Sequence, residues 1–475
     1  MAAGVLISVA NASMAAIVLP DIQAEFGVTD DVLSWFVAAY LIPFATGTLV
    51  YGRLADMRGT KPLLIFGIIV FGIGSLLVAA SPTYETSIAA RVLQGAGGTA
   101  IPALSMATIV HTTSEAGRAR AIAFIIVAVG VGFGIGPLLG GTLAEWIGWQ
   151  GPFLVTGAAV AVLVPVLVYA LPAVHGTPGQ RFDYVGAILL AGAVTGGVIA
   201  VNRLPNDIVD AYGVAGAAAF APLMGLFALR TRQATEPFID PVLFRNFRFL
   251  TLCVVGLCIQ GAHFGVVVML PLLLERYHDM RIIDIGFHLL PGALVLAATG
   301  VAAAWLAPKL GPRPILVIGS WLFFNAAVVY VFAGAGWSPV SIAILYALVA
   351  GGYAMVNSVV ITAATGQLPQ ERTGVGVGVF NIAFFMGGAL AVAMIGAILR
   401  MREDAFEPWV QVFQGAPVEF SDAGIVVLVL ATLAFLLTVA LGPEQAQQRS
   451  AVRPEAAREM QALLGRQKPN KGGPA

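Results

Sequence analysis

Charge is what this sequence has least of. Asp, Glu, Lys and Arg make up 11% of its 475 residues, and they cancel, with 25 basic against 25 acidic residues. Soluble domains carry roughly a quarter charged residues, so an ordinary soluble domain is excluded. A zero balance also excludes a global field able to recruit nucleic acid or an acidic partner. Cysteine is nearly absent. Cys253 and Cys258 stand five apart in one apolar run, which fits neither a disulfide framework nor a metal pair; they read as buried thiols. The five histidines are scattered, and no acid cluster accompanies them. A membrane enzyme would need a clustered nucleophile or metal set, so no enzyme and no metal site is expected. The glycines near 132–141 are followed by no Lys-Ser/Thr, so they form no phosphate loop.

What is abundant is hydrocarbon, with 59% hydrophobic residues and 55 glycines. A span needs about 20 apolar residues, and lipid offers backbone groups no partners, so the spans must be helices. Hydropathy places fourteen of them, near 2–20, 33–51, 62–80, 86–110, 119–147, 152–172, 185–202, 212–229, 249–274, 284–307, 314–334, 338–366, 373–399 and 423–441. An even number returns both ends to one side. All Lys and Arg residues except Arg91, Arg203, Arg276, Arg281, Arg400 and Arg402 fall on the side of the 52–61 segment. The positive-inside rule makes that side cytoplasmic, with both termini there. Nothing basic precedes Arg53. Two readings of the start stay open: a missing basic leader, or a cleaved signal peptide that lacks its positive n-region.

The chain also repeats itself. Gly52-Arg-Leu-Ala-Asp-Met-Arg-Gly59 and Ala304-Trp-Leu-Ala-Pro-Lys-Leu-Gly311 share Leu-Ala and the closing Gly at equal offsets, with Pro308 where Asp56 stands. The expected organisation is a six-helix bundle over 1–175, an inserted helix pair over 176–232, a second six-helix bundle over 233–442 and a cytoplasmic tail over 443–475. Parallel repeats of this kind mark a rocking transporter with its site at the midplane. Within the tail, Pro454 to Gly465 can form a surface helix, and its basic residues favour the anionic inner leaflet.

Several stretches resemble one family. Gly52, Leu54, Asp56, Gly59 and Lys61 resemble the loop signature of the major facilitator superfamily, and Arg91-Val-Leu-Gln94-Gly95-Ala-Gly97 its fourth-helix signature. The run Gly132 to Gly141, with Gly136, Pro137 and Gly140, is similar to the fifth-helix antiporter signature. Leu19-Pro20-Asp21-Ile22, Trp35 with Tyr40, Glu236 to Pro241, Phe380-Asn381 and Gly387-Gly388 are similar to the fourteen-helix drug:proton antiporter branch, whose members include tetracycline and multidrug exporters.

The resemblance implies an all-α integral membrane protein with the major facilitator fold, in the plasma membrane. Gly52, Arg53, Asp56, Arg58, Gly59 and Lys61, with Arg118 and Arg120, would lock a cytoplasmic gate; orientation anchoring alone is the other reading. Arg91 and Gln94 would take part in proton coupling. The branch commonly carries an acid in its first helix, but Asn11 stands there and cannot titrate. Asp21, Glu275 and His263 therefore remain candidate proton carriers, His263 because an unperturbed imidazole titrates near about 6.5. Asn11, Tyr40, Gln260, His263, Tyr353, Asn357, Asn381, Phe384 and Phe385 are the candidate cavity wall. Each alone reads equally as a helix-helix hydrogen bond or packing residue.

The resulting expectation is a monomeric secondary exporter of hydrophobic or amphipathic small molecules, conferring multidrug efflux and antibiotic resistance. It would use no cofactor, take the proton gradient as energy source, and touch substrate, protons and membrane lipids but no nucleic acid. Two alternatives remain: a lipid or metabolite exporter of the same fold with weak or no proton coupling, for which the missing first-helix acid speaks, and a non-transporting membrane sensor.

Overall fold

Once apolar stretches leave water, every backbone N–H must bond within its own segment, and the computed structural model is helical wherever hydropathy demands it. It describes residues 1–112, 115–172, 183–203, 211–234, 239, 241–332, 337–368, 373–402, 407, 409 and 417–442. The first helices are α1 (Ala2–Ile17), α2 (Leu19–Phe26), α3 (Asp30–Arg58), α4 (Thr60–Ala79), α5 (Tyr84–Gly98), α6 (Ala100–Thr112), α7 (Glu115–Ile147) and α8 (Gly151–Ala170). Then come α9 (Tyr184–Arg203), α10 (Ala211–Gln233), a 3-10 turn at Pro241–Arg245, and α11 (Phe247–His278). The last are α12 (Ile282–Leu310), α13 (Pro312–Phe332), α14 (Pro339–Thr365), α15 (Thr373–Met401) and α16 (Val418–Ala440). No strand occurs among the described residues.

Each hydropathy window falls on one helix or on a broken pair, α1 with α2 and α5 with α6. By length and apolarity, 10 described helices can cross a membrane, or up to 12 if each bent pair is one span. α1 and α2 meet at 55°, where Pro20 opens α2. α7 bends by 40° after Phe133, the residue whose carbonyl the Pro137 ring would strike in a straight helix. The tail over 443–475 and the residues Glu236 and Asp240 lie outside the described residues.

The 52–61 segment is not a loop. α3 continues through Arg58, α4 starts at Thr60, and Gly59 alone leaves the helix. Arg, Leu, Ala, Asp, Met and Arg all tolerate or favour helix, so a helix that has cleared the bilayer runs on until glycine stops it. Gly59 has φ 89 and ψ 159, and its N–H reaches the Ala55 carbonyl. Gly311 repeats the arrangement between α12 and α13, with φ 79, ψ 164 and its N–H on Ala307. The sequence echo is therefore an echo of backbone geometry. It extends to the next crossing: a Cβ on Gly67 would stand 3.1 Å from the Gly97 carbonyl oxygen, and one on Gly319 would stand 2.9 Å from that of Gly352. Small residues let these backbones touch.

That conformation is nearly closed to residues with a side chain, at a cost on the order of 1–3 kcal/mol. Gly59→Ala is thus expected to lower the unfolding temperature in detergent. Gly52→Ala, in helical backbone with open space around its Cβ position, is expected to raise it through the roughly 0.5–1 kcal/mol advantage of Ala over Gly inside a helix. Shifts of the same sign in both variants would refute the one-residue turn.

Across the molecule, α3 packs along α15 and α7 along α12, while α9 pairs with α10 and also lies against α3 and α15. Gly132, Gly136 and Gly140 face Val9, Ser13 and Met14 of α1, so the four-residue spacing is a seam of close α1–α7 contact. Gly141 turns instead to Ile282 and Ile283 of α12. The Pro137 carbonyl oxygen is 2.7 Å from the Cβ position of Gly286 on the same helix.

Candidate functional site

Thr83 and Thr86 form a capping box that starts α5, and Arg91 follows two turns in. Tyr84 at the same end donates to the Val32 carbonyl of α3 at 2.5 Å, which fixes α5 against α3. Arg91 is buried, only 2% exposed. Its Nε donates to the Phe36 carbonyl at 3.0 Å and its Nη1 to Gln94 Oε1 at 2.6 Å. The guanidinium also lies over Phe36 at 4.8 Å, Tyr40 at 4.5 Å and Phe153 at 5.9 Å. No carboxylate pairs with it among the described residues.

The network continues inward. Gln94 Nε2 donates to Asn11 Oδ1 at 3.0 Å and to Ser75 Oγ at 2.6 Å, and Asn11 Nδ2 donates to Thr156 Oγ1 at 3.0 Å. One chain of bonds therefore joins α5, α1, α4 and α8. Burying a guanidinium costs several kcal/mol. Here neutral acceptors and ring faces offset that cost, and the positive charge itself stays unneutralised. Arg91 lines a cavity of about 20 Å³, with room for roughly one water, between α1, α3, α5, α7 and α11. Tyr40, Ser13, Phe133 and Phe264 share its wall.

A second buried cluster faces it. Tyr353 donates to Gln260 Oε1 at 2.7 Å, and its ring stacks on His263 with centroids 3.7 Å apart. Phe133 and Phe264 meet His263 edge-on at 6.2 Å. His263 is fully buried, and neither ring nitrogen has a hydrogen-bond partner. An unpaired buried donor costs about 1–3 kcal/mol. His263→Phe, which keeps the stack and removes the polar atoms, is expected to raise the melting temperature while lowering transport. A variant both less stable and fully active would assign His263 to packing.

Aromatic contacts bridge the clusters. Phe44, 5.5 Å from Tyr40, meets Phe385 of α15 at 4.4 Å, and Phe385 meets Phe384 at 5.3 Å. Asn357 and Asn381 are only half-buried and stand outside both hydrogen-bond chains. The side chains of Arg53, Asp56, Arg118 and Arg120 lie outside the described residues. Arg58 is exposed, and Lys61 Nζ donates to the Leu171 carbonyl at 2.7 Å.

The sequence reading missed the far end of α3. Arg276 of α11 holds Asp30 with both terminal nitrogens, one at 2.7 Å, and also reaches Gln23. Arg400 of α15 holds Asp31 at 2.7 Å. Arg281 lies 3.6 Å from Glu145 of α7 and 3.1 Å from Asp284, and Arg402 holds Asp422 at 2.6 Å. Arg276, Arg281, Arg400 and Arg402, the four of the five asymmetry-breaking arginines whose side chains are described, thus all have acidic partners. Beside them α2 packs on α11 and brings Asp21 into electrostatic reach of Glu275. No group of three or more His, Cys, Asp or Glu suited to a metal occurs among the described residues.

Comparisons with known proteins agree with this architecture. The family profile described as Major Facilitator Superfamily matches residues 1–392. An uncharacterized MFS-type transporter of Mycobacterium tuberculosis is 26% identical over 406 residues, covering 83% of this chain and 58% of its own length; the chain thus spans less than two thirds of that relative. Multidrug resistance protein Stp of the same organism is 26% identical over 388 residues, covering 81% of this chain and 72% of Stp. Among solved structures, the human organic anion transporter MFSD10 (TETRAN) superposes with a TM-score of 0.63 at 15% identity, over 93% of this chain and 97% of that one.

Proposed function

The chain belongs to the major facilitator superfamily, and we propose that it exports a hydrophobic or amphipathic small molecule by alternating access, driven by inward proton flow. It is a multi-span membrane transporter rather than an enzyme. The observation that carries the export reading is the unneutralised Arg91 beside a cavity walled by Tyr40, Phe133 and Phe264. Aromatic faces suit flat apolar molecules, and a buried ionisable residue in a span is a functional site by default. That Stp is named for multidrug resistance supports a drug-like substrate.

The fork at Asp30, Asp31, Arg276 and Arg400 closes one mouth, and the cavity beneath it is nearly collapsed. Opening that mouth requires those ion pairs to break. Asp21 adjoins them, and its burial, together with the nearby Glu275 charge, favours its protonated form. In this reading a proton taken up there relieves repulsion between α2 and α11 and favours closure; its loss favours opening. Asn11 keeps the Arg91 network in register and carries no proton. A second reading, export with weak coupling, draws on one observation: the buried carboxylates Asp30, Asp31, Asp183 and Asp422 are all paired with arginine at helix ends. Cells producing the protein are expected to accumulate less ethidium than cells without it, and a protonophore should erase the difference. Equal accumulation would count against export, and a difference that survives the protonophore would favour the weakly coupled reading.

A further inference from the structure

The two matching turns of the repeat differ in how their basic residue is used. Lys61, second residue of α4, places its ammonium on the Leu171 carbonyl at the C-cap of α8. Arg313, second residue of α13, stands in the matching place near Leu441, the C-cap of α16. There no such contact is present among the described residues. Arg313 Nε is buried without a hydrogen-bond partner, beside a cavity of about 40 Å³ between α11, α13, α14 and α16.

That cavity is built for an anion. Among the described residues Arg248 and Arg313 both line it and no carboxylate does, and neither arginine has an ion-pair partner. Each lies in the first turn of its helix, where the positive helix end adds to the field. Two full charges outweigh the partial negative ends of α14 and α16. The polar groups already present are occupied elsewhere: Thr438 donates to the Phe435 carbonyl and shares a bond with Ser320, and Gln367 Nε2 reaches the Ala363 carbonyl. Asn246 at the head of α11 donates to the Gln367 carbonyl at 2.8 Å, which pins the mouth of the cleft. Leu252, Leu316 and Leu441 supply much of the remaining, apolar wall. The volume holds about three waters, or a phosphate in their place.

We propose that this cleft binds the phosphate of an anionic membrane lipid, with Arg248 and Arg313 on the phosphate oxygens and the three leucines against the glycerol and first acyl carbons. The apolar wall, and a position at the helix ends of a membrane-spanning bundle, favour a lipid over a free anion. Basic pockets between transmembrane helices suit such head groups.

The test is a lipid titration of the purified full chain in detergent, read by native mass spectrometry, with dioleoyl phosphatidylglycerol, dioleoyl phosphatidylcholine and inorganic phosphate as probes. Phosphatidylglycerol should be retained and phosphatidylcholine should not. Arg248→Gln and Arg313→Gln should each weaken retention by about fivefold, the weight of one basic residue at an anionic surface. Lys309→Gln, which removes an exposed cation from the same end, should change nothing. Arg248 is exposed, so its variant folds even if the Arg313 variant does not. Equal retention by wild type and Arg248→Gln would overturn the site. Displacement of the lipid by inorganic phosphate at equal concentration would overturn the lipid in favour of a free anion.

Discussion

Replacing Arg91 by methionine is expected to reduce ethidium transport by about 100-fold, equivalent to about 2.7 kcal/mol, with normal amounts of protein in the membrane. Methionine fills the same volume against Phe36, Tyr40 and Phe153, whose faces are as apolar as they are electron-rich. What disappears is the one full charge beside the cavity and the donors to the Phe36 carbonyl and to Gln94. Losing those donors costs on the order of 1–3 kcal/mol each, but the several kcal/mol of burying the guanidinium is no longer spent. Folding stability should therefore move little while transport collapses. Arg91→Lys keeps the charge and loses the planar fork and the ring stacking, so an intermediate loss of about tenfold is expected. If both variants transport normally, Arg91 is a structural residue and the network is only a brace.

The second large effect is expected at Gly396. A Cβ there would stand 2.7 Å from Ser34 Cβ and 2.8 Å from the Asp30 carbonyl oxygen, so α3 and α15 meet at this mouth only because the position has no side chain. Gly396→Val has to part the two helices by an ångström or more. The Arg400–Asp31 pair then loses its geometry, although both charges remain. A transporter that cannot close one mouth cannot complete a cycle, and transport should fall at least as far as in Arg91→Met. Spin labels at Glu25 and Met401 would read the change directly, since the native Cys253 and Cys258 are buried and do not label. The valine variant should lengthen their mean distance. An unchanged distance with lost transport would mean that the valine acts on folding and not on the mouth.

Much of this architecture is legible in the sequence because membrane spans are a problem of composition. Hydrocarbon runs can only be helices in lipid, so all fourteen windows coincide with helices or helix pairs. The Gly59 and Gly311 turns were visible as a motif echo, because a conformation restricted to glycine leaves the same letter at both places. The length of the turn was not visible. Hydropathy marks where a helix leaves the membrane, not where it ends, and α3 continues through charged residues to Arg58.

Other features depend on distant neighbours. Asp30 and Arg276 are 246 residues apart, and Asp31 and Arg400 are 369 apart; only the folded chain brings them together. The available clue was indirect. Arg276, Arg281 and Arg400 violate the charge asymmetry, and an arginine kept against that bias needs a partner. Ser75 and Thr156, which complete the Arg91 network, read in sequence as ordinary hydroxyls in apolar helices. Asn11 read as a missing acid, whereas its amide satisfies Gln94 on one side and Thr156 on the other, a role that needs both a donor and an acceptor. His263 was legible as an unusual residue, but its lack of any partner emerges only when α11, α14 and α7 are packed.

Alternating access powered by protons is tested most directly by the purified protein in proteoliposomes, with an imposed pH gradient and with ethidium and a tetracycline as probes. The account predicts uphill movement of at least one probe, opposite in direction to the proton flow, lost when the gradient is collapsed and lost in Arg91→Met and Gly396→Val. Movement of neither probe would contradict drug export, and equal movement with and without the gradient would contradict proton coupling.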